Sequence, residues 1–401
     1  MKIKTLPIFL AFLCMGFGDA AGPLVNLATE VFDISNAAAS LIASAGFIMF
    51  GLLSIPMGIV QYKIGKKNVM LLGLGVFLIG VLVPVLGLTF PLLLTAVFIM
   101  GAGAAILQVA GNPIMRDVSQ SGKYSRNLSF GQFIKAIGSL SASLIPAFIA
   151  GKLVSDYFVF SADGAARSAE WRILFPIYAI IIFITLITVL FLRVKEKQEK
   201  NQKPTTFATS FRALTDKYIL IMVLGIFLYV GAEVSMSSKI AVFFSEKYNI
   251  DLTKIGMLGV GVFFLSLTVG RFLGGVILNW MRPKLFLLLT CLISLIGLGG
   301  IFISNLTTAW ISVFLIGIGF ANIFPLIFSI TVDTLPGKTN EISGLMITAI
   351  VGGAVIPPIT GIIADINLSL SFLVPLVCIL YVTAAAIYNF RLTIAGYHKK
   401  K

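Results

Sequence analysis

Charged side chains inside long apolar runs are the first candidates for chemistry in this sequence. Asp19 lies in the middle of the run 6–28, in a glycine-rich stretch that ends at Pro23. A carboxyl group at the centre of a bilayer costs about 2.5–3.5 kcal/mol on insertion scales, so such a residue faces water or protein. The glycines and Pro23 loosen the helix, which suits a place where a substrate or another helix comes close. We predict that Asp19 accepts a proton or a ligand hydroxyl; the alternative is a static ion pair with Lys135.

Two further ionisable groups lie well inside apolar runs. Lys135 must pair or face water there. It could pair with Asp19 until substrate binds, bind an anionic substrate, or extend to the interface as a structural cation. Glu233 is a candidate cavity acid, unless it only pairs with Arg271 or Lys239. Asp19, Lys135 and Glu233 are therefore the predicted proton-coupling residues.

Side-chain amides in the same apolar runs are the candidate ligands for substrate. Gln108 and Asn112 are four residues apart and share one face of a helix, and Gln132 stands three residues before Lys135. Amides offer paired donors and acceptors, which suit the hydroxyls of a polar solute. They could instead join helices. The predicted substrate-binding set, which adds two aromatic rings, is Gln108, Asn112, Gln132, Phe17, Tyr229 and Asn322.

The composition identifies the class of chain that must position these groups. Of the 401 residues, 58% are hydrophobic and 11% charged, and the mean hydropathy is +1.03. A soluble protein could not cover that much apolar surface, so the chain is predicted to be a polytopic membrane protein. The first apolar run is too long for a signal-peptide core and is expected to remain as an uncleaved helix.

Several functions are excluded by the residue inventory. Cys14, Cys291 and Cys378 all lie in apolar runs, which argues against a disulfide framework. The single histidine, His398, lies in the tail, which argues against a histidine metal site or proton relay. No nucleophile–base set is visible, so we expect no enzyme, no metal and no cofactor beyond a coupling proton. The net charge of +14 lies in short loops and does not indicate a nucleic-acid partner.

Apolar runs of about 20 residues, the length that crosses a bilayer, predict twelve helices. These spans one to twelve are 6–30, 37–62, 68–88, 91–114, 127–152, 172–193, 217–244, 252–281, 284–304, 308–331, 340–364 and 370–391. An even number puts both termini on one side of the membrane. With the termini and even-numbered loops inside, 22 of the 30 Lys and Arg residues are cytoplasmic, 5 are external and 3 lie within spans. This asymmetry predicts cytoplasmic termini and a cytoplasmic (inner) membrane location.

The chain has two similar halves. Phe98, Gly101, Gly103 and Asp117 in span four match residues of span ten at one offset of 216, namely Phe314, Gly317, Gly319 and Asp333. Gly16 and its neighbours in span one match Gly231 and its neighbours in span seven at an offset of 215. The polar segment 195–216 separates the halves. We therefore predict an all-α fold of two pseudo-symmetric six-helix bundles, 1–194 and 217–401, joined by a cytoplasmic linker.

Several motifs carry a resemblance to the major facilitator superfamily, and within it to the fucose–proton symporter family of sugar transporters. The loop Gly58–Lys67 resembles the general loop motif of the superfamily, with Tyr62 where an aspartate is usual. The more specific matches are Leu107–Pro113 with Arg126–Leu128, Tyr229–Glu233, Gly270–Phe272, Phe324–Ser329, Ile350–Pro358, and the spacing of Asp19 and Pro23.

The resemblance implies alternating-access transport of a monosaccharide with a proton. It departs at Gln108, where the fucose symporter has a coupling glutamate, and at Lys135, where it has a cavity asparagine. The alternatives are transport or facilitated diffusion of an anionic solute such as a sugar acid, and a membrane sensor that transports nothing. We expect a monomer with a small polar solute as its ligand. The predicted structural and gating residues are Gly58, Gly65, Lys66, Arg271, Pro325, Gly352 and Gly353.

Overall fold

A computed structural model of the chain describes residues 6–18, 36–87, 89–149, 164–194, 204–249, 257–303 and 305–394, together with Phe32. These residues form helices joined by short turns, and no strand occurs among them. Within the described ranges, eight helices are long and apolar enough to cross a membrane, and three shorter apolar helices accompany them. The predicted all-α membrane fold is therefore confirmed.

Each of the twelve predicted spans contains a described helix. Spans one to nine contain Leu6–Phe17, Asn36–Ile64, Lys66–Leu86, Phe90–Val118, Tyr124–Ile149, Gly164–Leu190, Lys217–Tyr248, Met257–Ile277 and Pro283–Gly300. Spans ten to twelve contain Leu306–Phe320 with Ile323–Thr334, Thr339–Thr348 with Gly352–Ile366, and Leu368–Ser371 with Leu373–Ile394. A short helix, Phe207–Ala213, precedes span seven.

Two spans are interrupted. Span ten turns at Asn322, whose backbone has φ −113° and ψ 2°. Pro325 follows in the first turn of the next helix, where its missing N–H leaves no hydrogen bond unmade. Span eleven contains a 3-10 turn at Ala349–Val351, directly before Gly352. The helix then continues through Pro357 and Pro358 to Ile366, so these prolines do not end it.

The described residues divide into two compact units. Unit one comprises the described parts of Met1–Ser119, Ile134–Ser210 and Ser343–Thr348. Unit two comprises those of Gln120–Phe133, Phe211–Ile342 and Ala349–Lys401. The start of span five thus belongs to unit two, and a segment of span eleven belongs to unit one. The predicted bundle boundaries at 1–194, 195–216 and 217–401 stay a prediction, and residues 195–203 of the linker lie outside the described residues.

The glycines that matched at one offset occupy matching helix contacts. A methyl group added at Gly103 would lie 2.7 Å from the Phe77 Cα in span three. One added at Gly319 would lie 2.7 Å from the Ser294 backbone nitrogen in span nine. Spans four and ten therefore each pack the corresponding glycine against the backbone of the preceding span. This agreement supports a duplicated six-helix unit.

A second pair of glycines shows the same relation. A methyl group at Gly101 would lie 2.8 Å from the Gly46 Cα in span two, and one at Gly317 would lie 2.7 Å from the Phe263 carbonyl oxygen in span eight. Small residues are favoured where helices pack in lipid, because they let backbones approach closely. The glycine pattern thus fixes which helices touch within each unit.

We expect Gly103→Ala to lower the thermal unfolding temperature of the purified protein. The added methyl group meets the backbone of Phe77, which must shift, and overpacking of this kind costs about 1–3 kcal/mol. Gly75→Ala in span three is the matched control, because nothing lies within 4 Å of a methyl group there. Alanine is the better helix former by up to about 1 kcal/mol, so the control keeps or raises the unfolding temperature. Equal responses of the two variants would contradict the contact.

Candidate functional site

Unit one holds two of the predicted amides on one face of span four. The residue exposures are 3% for Gln108 and 0% for Asn112. Both residues lie in Phe90–Val118, a helix of largely apolar sequence that is long enough to cross a membrane. Burying an amide in such surroundings is costly unless its donors and acceptors are used. The two amides are therefore the most conspicuous polar groups of this span.

Spans one and five cross at two glycines beside the predicted ionisable pair. A methyl group at Gly16 would overlap the Lys135 carbonyl oxygen, and one at Gly138 would overlap the Leu13 carbonyl oxygen. The Lys135 backbone thus lies on the last described turn before Asp19, and the Lys135 side chain is half-buried. Asp19 itself lies outside the described residues, so its pairing with Lys135 stays a prediction.

Phe17 packs against an aromatic ring of the same unit. Its ring stacks on that of Tyr178, with centroids 3.8 Å apart and an angle of 8°. The Tyr178 hydroxyl forms a 3.0 Å hydrogen bond with the Ser141 hydroxyl, and Ser141 donates to the Gly138 carbonyl oxygen. One face of Phe17 is therefore already occupied, and the residue is 1% exposed. A sugar contact of Phe17 stays a prediction, with only its other face left for it.

The start of span five supplies Gln132 to unit two. Gln132 is 3% exposed, and its Nε2 has no hydrogen-bond partner among the described residues. This segment bonds to other parts of unit two: the Ser329 hydroxyl donates to the Ser125 hydroxyl at 2.8 Å, and Arg126 donates to the Asn279 Oδ1 at 3.0 Å. Gln132 thus belongs to unit two, and no described residue accepts a hydrogen bond from its Nε2.

Unit two contains an ion pair inside its apolar helices. The Arg271 Nη2 lies 3.5 Å from the Glu233 Oε1, and the two side chains are 13% and 19% exposed. Arg271 and Lys239 are the two predicted partners of Glu233, and Arg271 is the one that pairs with it. Lys239 points elsewhere, since its Nζ lies 3.9 Å from a methyl group built at Gly361 in span eleven. A role of Glu233 in proton coupling stays a prediction.

Tyr229 and Asn322 lie next to this ion pair and use part of their hydrogen-bonding capacity on the backbone. The Tyr229 hydroxyl donates to the Phe320 carbonyl oxygen at 2.9 Å. The Asn322 Nδ2 donates to the Gly270 carbonyl oxygen at 2.7 Å, while its Oδ1 has no partner among the described residues. Each residue is 1% exposed. Their predicted sugar contacts stay predictions.

A charged pair that the sequence did not single out joins the start of span three to the end of span four. The Lys66 Nζ donates to the Asp117 Oδ2 at 2.6 Å, and the two side chains are 9% and 0% exposed. Gly65 has φ 86° and ψ 160°, a conformation that favours glycine, and it allows the chain to turn into span three. Asp117 entered the sequence analysis only as a repeat position. Its place at the end of an apolar span was the signal that it needed a cation.

The remaining predicted structural residues lie where helices approach closely. Gly58 is buried in span two. A methyl group at Gly352 would overlap the Phe227 carbonyl oxygen, and one at Gly231 would lie 3.1 Å from the Gly352 carbonyl oxygen. Gly353 follows, also buried. Spans seven and eleven therefore cross at glycines as spans one and five do. The gating roles of these residues stay predictions.

No group of three His, Cys, Asp or Glu residues that could hold a metal ion occurs in the described part of the chain. The fold and its polar groups instead define a helical membrane protein with buried amides and ion pairs. A structural neighbour is the outward conformation of FucP, a Major Facilitator Superfamily transporter, with a TM-score of 0.82 at 19% identity, covering 96% of this chain and 99% of that one. The proton:xylose symporter XylE has a TM-score of 0.74 at 16% identity, covering 97% and 94%.

The profile of the Major Facilitator Superfamily matches residues 8–358, so the chain belongs to this family. The family consists of membrane transporters, which confirms the prediction of a multi-pass transporter rather than an enzyme. A glucose/galactose transporter of Brucella abortus is 29% identical over 391 residues, which cover 93% of this chain and 90% of that protein. The L-fucose-proton symporter of Escherichia coli is 25% identical over 383 residues, covering 87% and 84%.

We expect Asp117→Leu to destabilise the protein strongly, because it leaves the buried Lys66 ammonium without its carboxylate. Removing one partner of a buried ion pair costs about 3–5 kcal/mol. The double variant Lys66→Met with Asp117→Leu should recover much of this loss, since an apolar pair carries no uncompensated charge. Thermal unfolding of the purified variants measures both effects. A double variant as unstable as the sum of the single ones would contradict the pairing.

Proposed function

We propose that the chain carries a neutral monosaccharide inward across the cytoplasmic (inner) membrane, together with a proton, by alternating access. The observation that carries this proposal is the buried pair of amides on span four, Gln108 and Asn112, at 3% and 0% exposure. Side-chain amides both donate and accept, as sugar hydroxyls do. Relatives named as glucose/galactose transporters cover more than nine-tenths of the chain, which supports a hexose as the sugar.

In this proposal Gln108 and Asn112 bind sugar hydroxyls. The predicted ligands Gln132 and Asn322 each have one amide atom without a hydrogen-bond partner among the described residues. An unmade hydrogen bond at a buried polar atom costs about 1–3 kcal/mol. A sugar that supplies the missing partners recovers this free energy, whereas an apolar solute does not.

Asp19 is the proposed proton acceptor, and Lys135 is the cation that helps to discharge it. The glycine crossing at Gly16 and Gly138 supports this assignment, because it holds the Lys135 backbone against the turn that precedes Asp19. Glu233 is the proposed acid of the second half. The proton is the only coupling partner in this scheme, and no cofactor takes part. The Lys and Arg distribution supports cytoplasmic termini, and the proposed functional unit is a monomer.

One observation favours a second candidate. Lys135 is a half-buried cation within span five. An intramembrane cation also suits an anionic solute such as a sugar acid, which would bind it directly.

We expect purified protein in proteoliposomes to accumulate radiolabelled glucose or galactose when an inward proton gradient is imposed. Asp19→Asn should abolish accumulation but keep exchange of labelled for unlabelled sugar, because the amide binds hydroxyls and cannot take up a proton. Asp216→Asn, which makes the same change at the N-cap of span seven, where asparagine also caps a helix, is the matched control. Uptake of a neutral hexose that only equilibrates and ignores the gradient would make the chain a facilitator.

We expect Lys135→Met to leave hexose exchange measurable and to impair gradient-driven accumulation, because the cation acts on Asp19 and not on the sugar. A panel of sugar acids in the same uptake assay decides the second candidate. If only the acids accumulate, and Lys135→Met abolishes their binding, the substrate is anionic and the hexose proposal is wrong. Lys239→Met, the other lysine within a span, is the matched control.

A further inference from the structure

The interruption of span ten touches both helices that carry the Glu233–Arg271 ion pair. Residues 321–322 join Leu306–Phe320 to Ile323–Thr334. Backbone groups at such a break are not all satisfied by the helix itself and need other partners. All the groups that meet this turn lie within unit two. The turn is therefore in a position to act on the ion pair.

The first contact comes from span seven. The Tyr229 hydroxyl donates to the Phe320 carbonyl oxygen at 2.9 Å. Tyr229 is four residues before Glu233 and shares its helix face. The interruption of span ten is thus bonded to span seven at Tyr229, one helical turn before Glu233.

The second contact comes from span eight. The Asn322 Nδ2 donates at 2.7 Å to the carbonyl oxygen of Gly270, the residue directly before Arg271. The amide group of Asn322 lies against Gly274, where an added methyl group would overlap it. A methyl group at Gly270 would lie 2.6 Å from the Ala321 Cβ. The break of span ten thus packs against Gly270 and Gly274 of span eight. These glycines are one helical turn apart, and Arg271 lies between them in the sequence.

The ion pair itself does not fix its own geometry. Its N–O distance of 3.5 Å exceeds the 2.7–2.9 Å that is usual for charge-assisted hydrogen bonds. The Arg271 Nε has no hydrogen-bond partner among the described residues. The position of the Arg271 guanidinium therefore depends on the position of the span-eight backbone.

We propose that Asn322 is a positioning residue for this intramembrane ion pair: by holding the Gly270 carbonyl, it sets the place of Arg271 relative to Glu233. Attraction between two charges of low exposure falls with distance and is little screened by water. A displaced Arg271 leaves a carboxylate in the membrane without its counter-charge. The role of Asn322 is thus to keep the second unit's acid paired. Only the transport readout of this inference rests on the proposed function.

The test is a set of double-variant cycles in the full-length protein. Asn322→Ala removes the hydrogen bond, and Gly274→Ala displaces the same amide without altering it. We expect each to slow glucose counterflow about tenfold, the effect of losing one buried hydrogen bond that acts on the site. The double variant should slow counterflow no more than Asn322→Ala alone, because removal of the Asn322 amide makes room for the methyl group introduced by Gly274→Ala. Thr290→Val, which removes a buried hydroxyl that donates to the Leu287 carbonyl oxygen within span nine, is the matched control.

A second cycle separates positioning from simple stabilisation of the helix break. In the background Glu233→Gln with Arg271→Gln, Asn322→Ala should lower the unfolding temperature less than it does in the native protein, because no ion pair remains to be misplaced. Equal losses in both backgrounds would overturn the proposal, as would unchanged counterflow in Asn322→Ala. The unfolding cycle needs no substrate. It therefore still decides the positioning role if the native protein proves to carry no hexose.

Discussion

Close approach of helix backbones is the constraint on which the rest of this structure depends. Lipid tails are as apolar as the side chains of the helices, so packing and polar contacts rather than water exclusion hold the spans together. Gly103 lies on Phe77, and Gly16 faces Gly138, at distances that leave no room for a methyl group. These contacts decide which spans are neighbours within a unit. They also decide which polar side chains can reach one another.

Polar groups then supply the specific part of the packing. Lys66 and Asp117 join spans three and four, and Asn322 joins spans ten and eight through a backbone carbonyl. None of these groups can turn to water at small cost, because the surrounding helices are apolar. At the break near Asn322, the Tyr229 hydroxyl of span seven donates to the Phe320 carbonyl oxygen, and the Asn322 amide donates to the Gly270 carbonyl oxygen of span eight. Structural and functional roles of such residues are therefore hard to separate without double variants.

The sequence predicted the part of the fold that depends on local composition. Apolar runs of bilayer length gave all twelve spans, and glycines at one offset gave the repeat, since both are properties of consecutive residues. Partners far apart in the chain could not be predicted in this way. Asn322 is predicted to bind a sugar, and nothing in the neighbouring sequence indicates that its Nδ2 donates to the Gly270 carbonyl oxygen, 52 residues away. Phe17 was assigned to a sugar as well, and its ring lies on Tyr178. The periodicity of apolar residues indicates which face of a helix is buried, but not which neighbouring helix covers that face.

The two halves share their packing but not their charges, and this difference limits what the duplication can explain. Glu233 stands at nearly the position of Asp19 in the repeat, so each half has an acid near the middle of its first span. At the offset of 216, Arg271 corresponds to Ile55 in span two, and at 215 Lys135 corresponds to Ile350 in span eleven. The proposed partner of Asp19 is thus a lysine of span five, whereas Glu233 pairs with an arginine of span eight. Arginine stays protonated at any working pH, while lysine can give up its proton when it is buried. The proposed Asp19–Lys135 pair and the Glu233–Arg271 pair therefore differ in their cation, so the repeats need not perform the same step.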